Sequence, residues 1–128
     1  MNKICTSLEQ SKKLIELGID INTADNVIVL FGDREGTKTV VMPKETLDVI
    51  RTPFSDIREI IPAWSLTALL GLIPNSINFG YENDSIFILK KIENGNYIAD
   101  YYEVSFVKDN PLDAAFEMIV WLKDNGKI

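Results

Sequence analysis

Histidine is absent from this 128-residue chain, and Cys5 is its one cysteine. The first absence removes the commonest general base and the commonest zinc ligand. The second excludes an intrachain disulfide and fits a reducing compartment. No apolar run reaches membrane-spanning length. Met1 to Ser7 lacks the apolar core of a signal peptide, so the expected location is cytoplasmic. Basic residues are also scarce. The net charge is −6, with −2 before residue 65 and −4 after it, and Lys12-Lys13 and Lys90-Lys91 are the only basic doublets. A counterion-releasing phosphate footprint is therefore not expected, which makes nucleic acid a poor partner.

What is present is ordinary for a globular protein: 46% hydrophobic and 25% charged residues. The length suits one domain, residues 1–128, with a core that needs no metal or disulfide staple. The stretch Ile61 to Pro74 is the most strongly specified. Leu66, Leu69, Leu70 and Ile73 fall on one helical face, Pro62 suits a helix start, and Gly71 and Pro74 suit its end. This helix is the expected packing centre.

The chain before it reads less regularly. Thr6-Ser7-Leu8-Glu9 fits a capping box for a helix reaching Leu17, stopped by Gly18, with Leu8, Leu14, Ile15 and Leu17 as its apolar face. Asn22 is a candidate cap for a following turn. Val27 to Phe31 and Thr37 to Met42 read as strands that could pair as a hairpin around Gly32–Gly36. The Gly-x-x-x-Gly there lacks the Gly-Lys-Ser/Thr ending of a phosphate loop, and Asp33 and Glu35 would repel phosphate. Lys44 to Arg51 suits a short helix with Leu47 and Ile50 inward, and Phe54 to Ile60 reads as a connection.

After the central helix, Ile77-Phe79-Tyr81 alternates with polar residues, Ile86 to Ile92 is a second strand, and Tyr97 to Phe106 a third. Asn94-Gly95 is a hairpin signal between the last two. Tyr97, Ala99 and Tyr101 share one face of that strand. Asn110 or Asp109 caps a final helix with Pro111 at its first position and Leu112, Ala115, Phe116, Ile119 and Leu122 inward, widened by Met118 and Trp121. The expected fold is α+β: three main helices packed on antiparallel sheet, a three-stranded meander in the C-terminal half, and one core containing Leu66, Leu69, Leu70, Phe116 and Ile119.

Three stretches carry a resemblance: Glu9 to Gly18 with Thr23-Ala24-Asp25, Pro62 to Leu70, and Asn110 to Met118. Together the chain resembles a group of small uncharacterised proteins of gut-bacterial genomes and their prophages. The resemblance implies a phage-like context and no activity, cofactor or catalytic residue.

No catalytic set is expected, nor a cofactor or metal site. Cys5 has no histidine to activate it. Asp109 with Asp113, and Asp33 with Glu35, suit caps and turns better than acid–base work. The expected role is a phage-like accessory protein acting through a protein partner, alone or as a homodimer. Trp64 with Asp56, Arg58 and Glu59 form the candidate contact, because loops carry function and tryptophan anchors interfaces. The competing view of Trp64 is a buried plug between the loop and the helix. Two alternatives stand beside this role. One is a nucleic-acid-associated or small-ligand-binding module, with Tyr97, Tyr101 and Tyr102 available for stacking. The other is an enzyme using carboxylates without metal.

Overall fold

The computed structural model describes residues 3–33, 36–50 and 57–128, and of residues 33 and 48–50 the backbone alone. Asp56 of the candidate contact, and the turn at Arg34 and Glu35, fall outside them. The elements run α1 (Leu8–Glu16), β1 (Asn26–Asp33), β2 (Gly36–Pro43), α2 (Lys44–Ile50), β3 (Ile57–Ala63), α3 (Leu66–Leu72), β4 (Ser76–Ile77), β5 (Ser85–Ile86), β6 (Ile88–Lys91), β7 (Tyr97–Asp100), β8 (Ser105–Lys108) and α4 (Pro111–Asp124). Single 3-10 turns occupy Ile21–Thr23 and Glu93–Gly95. The fold is α+β, and all described strand pairings are antiparallel.

The first sheet has the order β2-β1-β3. Its central strand is apolar from Val27 to Phe31 because both of its faces are covered there. Ile28 and Leu30 pack with Cys5, Leu8, Ile61 and Ala63 on one face. Val27, Val29 and Phe31 pack with Met42, Leu47, Ile57 and Ile60 on the other. The hairpin of β1 and β2 forms as expected. The expected connection from Phe54 to Ile60 is instead, from Ile57 onward, strand β3. Pro62 lies within that strand opposite Val27, not at a helix start. An edge strand tolerates a residue without an N–H, and β3 is an edge.

The helices begin where caps stop competing with strand or turn. Ser7, one residue later than expected, caps α1 and forms the capping box with Gln10. Thr6 is buried and used elsewhere, as described below. Ile15 is exposed and Ser11 is buried in its stead. Asp20, rather than Asn22, caps the 3-10 turn. The α1 helix ends as expected, with Gly18 at φ +86° and the Ile19 amide bonded back to the Leu14 carbonyl.

Helix α4 is the packing centre, which corrects the expectation for α3. It buries Leu112, Ala114, Ala115, Phe116, Met118, Ile119 and Leu122, whereas α3 buries only Leu69. Leu69, Phe116 and Ile119 do share one core, with Leu66 half-buried against it, but Leu70 is exposed. The helix is only seven residues long, since Pro62 to Trp64 belong to the strand and its exit. The Asn110 cap and Pro111 start of α4 are as read from the sequence.

The C-terminal meander has the order β6-β7-β8, with Asn94 and Gly95 at positive φ in its first turn. Its makeup differs from the expected one. The run Tyr97 to Phe106 is broken after Asp100 and supplies two strands. The Ile77-Phe79-Tyr81 alternation ends at Ile77, which pairs with Ser85 in a separate two-stranded ribbon. Gly80 at φ +93° and Tyr102 at φ +61° are the two breaks. No helix among the described residues is long and apolar enough to cross a membrane.

Candidate functional site

Trp64 offers no surface to the expected contact. Trp64 stands between the end of β3 and Ser65, the cap of α3, and is completely buried. Its indole N–H donates to Thr23 Oγ1 at 2.9 Å. Its backbone N–H donates to Thr6 Oγ1 at 3.1 Å, and its carbonyl accepts from the Thr6 amide at 2.9 Å. Thr6 Oγ1 also shares a 2.7 Å bond with Ser11 Oγ. Beside it, Asp25 accepts from the Ser65 amide and hydroxyl and from the Asn26 amide group. Burial works against the Asp25 charge, but these bonds outweigh it and hold the carboxyl below its usual range. Trp64 thus joins three segments of chain and has no surface left for a partner.

Arg58 and Glu59 are exposed on β3. Arg58 sits at the register shift opposite Leu30 and Phe31, and its side chain crosses Gly32 so closely that a Cβ there would overlap Nε. Neither shares exposed surface with Trp64.

A different surface has the makings of a site. It is a cleft of about 760 Å³ between the chain linking β4 to β5 and the turn linking β7 to β8. One wall is tied by Asn78. Its side-chain amide donates to the Tyr81 carbonyl and to Asp84 Oδ1, and its oxygen accepts from the Gly80 amide. Phe79 turns inward to Tyr101 and Trp121, with ring centroids 6.1 and 6.0 Å away, which leaves Tyr81 outward and 64% exposed. The other wall is a tight turn. Asp100 Oδ1 accepts from the Tyr102 amide at 2.9 Å, and the Tyr101 amide donates to the Val104 carbonyl. Tyr102 takes a positive φ there and is 88% exposed. A bulky residue in that region of backbone space carries a conformational cost.

Both walls hang on Tyr101. Its ring is buried, its hydroxyl donates to the Pro74 carbonyl, and its carbonyl accepts from Ser85 Oγ. Burial pushes its pKa up to about 12. The floor and lip include Ile86 and Ile88, both largely exposed. Four carboxylates line the cleft, on Glu82, Asp84, Asp100 and Glu103, and no lysine or arginine does.

This arrangement can hold a cation beside aromatic faces and apolar surface. Among the described residues no three histidine, cysteine or acidic side chains converge as a metal site would need. Nor does any buried side-chain nitrogen or oxygen there lack a partner. Cys5 is buried, and desolvation, with the Asp25 charge added, pushes its thiol pKa up, away from a nucleophilic thiolate. Asp113, one of the expected carboxylate pairs, is occupied by Gln10, Asn110 and Lys3.

Of the three tyrosines weighed for stacking, Tyr101 is core, Tyr97 is half-buried and Tyr102 is exposed in the cleft. Sequence reading missed the cleft because Tyr81 and Tyr102 sit in runs that alternate like strands. The available signal was the concentration of Glu82, Asp84, Asp100 and Glu103 around them. Comparison with protein-family models, with curated proteins and with solved structures found no match.

Proposed function

We propose that this chain is a binding protein whose cleft receives a lysine- or arginine-bearing segment of a partner protein. The observation that carries the reading is the pairing of exposed Tyr81, Tyr102 and Ile86 with four carboxylates and no cation. Exposed aromatic and aliphatic side chains supply the desolvating contact, and tyrosine is favoured at such contacts. The carboxylates select a cation and speed encounter. A phage-like setting rests on the resemblance carried by Glu9–Gly18 with Thr23–Asp25, Pro62–Leu70 and Asn110–Met118, and a cytoplasmic one on the single cysteine, which suits a reducing compartment. The absence of histidine and the protonated, buried Cys5 favour binding over turnover.

The test is titration with a short peptide alternating lysine and leucine, against the same peptide with glutamate in place of lysine. The expected result is binding of the basic peptide only, weakened by salt, with NMR shifts at Tyr81 and Tyr102. Glu103→Lys and Tyr102→Ala should each weaken it about tenfold, roughly 1.4 kcal/mol. Equal binding of both peptides, or no effect of either substitution, refutes the reading.

A further inference from the structure

The outer edge of β2 presents a second surface, independent of the cleft. Among the described residues no strand pairs with that edge. The backbone groups of an antiparallel strand point alternately to its two sides, so half of those in β2 face outward along eight residues. Unpaired edges of this kind template strand addition unless they are defended. Among the described residues the other edges of the two three-stranded sheets are defended. β3 contains Pro62 and the register shift at Arg58. β6 is four residues long and ends in Lys90-Lys91, and β8 is four residues long and ends in Lys108. β2 carries one charge, Lys38, and has no proline before its last residue. It also exposes apolar side chains on both faces, Val40 at 41% and Val41 at 43%.

We propose that β2 pairs with β2 of a second copy of this chain, antiparallel about a two-fold axis at Val40. The sequence of the strand complements itself in that register. Val40 meets Val40 of the copy, and Lys38 meets Met42. Thr39 meets Val41 twice on the opposite face. Like charges never face one another, and β-branched pairs fill the seam.

A strand edge alone is smaller than the roughly 1,000 Å² of a stable interface, and the groove beside β2 supplies the rest. That groove, of about 600 Å³, has Ile28, Thr39 and Val41 as its floor and Ile4, Cys5 and Leu8 as its wall. Ile4 is 78% exposed. A two-fold axis perpendicular to the sheet keeps both N-terminal segments on the same face. The two grooves then become one trough across the seam, with both Ile4 side chains over it. The product is a continuous six-stranded sheet with the order β3-β1-β2-β2-β1-β3.

The experiment is light scattering across a dilution series of the full chain, with two variants. The wild type is expected at twice the 14.5 kDa chain mass, falling on dilution. Val40→Lys sets two ammonium groups against each other at the axis and should give a folded chain of single mass. Val40→Cys should cross-link to its copy in a glutathione redox buffer, while Lys38→Cys, which faces Met42, should not. Should Val40→Lys fail to fold by circular dichroism, Val40→Glu, which sets two carboxylates against each other at the same axis, takes its place. A wild type of single mass at every concentration overturns the proposal. So does a folded charged variant at position 40 that stays dimeric, or cross-linking by Lys38→Cys in preference to Val40→Cys.

Discussion

Replacing Trp64 tests the architecture at its most connected point. The side chain is fully buried and belongs to the core that includes Leu14, Leu69 and Met118. Trp64→Ala removes that packing and leaves a cavity, at a cost of about 3–5 kcal/mol. Trp64→Phe keeps most of the apolar volume and loses the indole bond to Thr23. Thr23 is exposed and its hydroxyl also donates to the Asp20 carbonyl. It is therefore rehydrated, not orphaned, and only the net worth of a hydrogen bond is lost, about 0.5–1.5 kcal/mol, plus a small packing term. The backbone bonds of Trp64 to Thr6 survive both changes. Urea unfolding followed by far-UV circular dichroism gives both numbers, and Trp121 remains as a fluorescence reporter. A double-mutant cycle of Trp64→Phe with Thr23→Ala should show coupling of about 0.5–1.5 kcal/mol. A Trp64→Ala cost below about 1 kcal/mol refutes the buried joint, since full burial of a tryptophan cannot be that cheap to undo. The same magnitudes mean that a partner lost on Trp64→Ala would report unfolding, not a broken contact.

Other consequences are separable from that one. Leu69→Ala should cost about 2–5 kcal/mol in the same urea assay, because Leu69 is fully buried against α4, and Leu70→Ala should fall within about 0.5 kcal/mol of the wild type. Asp25 and Asp113 have folded-state pKa values below the ordinary 3.8, so their contribution is fully present above 3.8 and lost as pH falls below it through the lowered values. Asp25→Asn should flatten part of that acid limb in unfolding curves measured at successive pH. Cys5 should resist alkylation by iodoacetamide at neutral pH until urea unfolds the chain, because burial raises its pKa and blocks access; rapid labelling of folded protein would contradict this.

The elements legible in the sequence are those whose local signals and tertiary surroundings agree. The Asn110-Pro111 start of α4, the Gly18 stop of α1 and the Asn94-Gly95 turn each follow from one backbone requirement met by one residue type. The misreadings occur where two principles compete. Pro62 suits a helix start, but strand β3 accepts it at a sheet edge, and no local signal separates the two. Thr6 and Ser7 are both good caps. Ser7 caps α1 because the Thr6 hydroxyl is drawn into the bonds with Trp64 and Ser11. Tyr97 to Phe106 alternates like one strand, and its break lies in the positive φ of Tyr102, a conformation composition does not announce. Leu70 completes the stripe of α3, yet the helix is too short to bury more than its Leu69 line.

The same breaks that obscured the strands build the cleft. Tyr102 leaves the sheet because Tyr101 is taken inward, where its hydroxyl meets the Pro74 carbonyl beyond the end of α3. The Ser85 bond to the Tyr101 carbonyl draws the β4–β5 ribbon to the same point. Phe79 and Phe87 close on the Tyr101 ring with centroids 6.1 and 5.3 Å away, so two irregular walls share one fixed residue. A loop held this way loses less conformational entropy on binding than a free one. The exposed Tyr81 and Tyr102 are therefore presented by a rigid support, although both lie in segments without regular structure. The strain at Tyr102 has a local compensation in its amide bond to Asp100. Asp100 in turn is one of the cleft carboxylates, so the group that holds the turn also contributes to the negative charge on which the proposed binding rests.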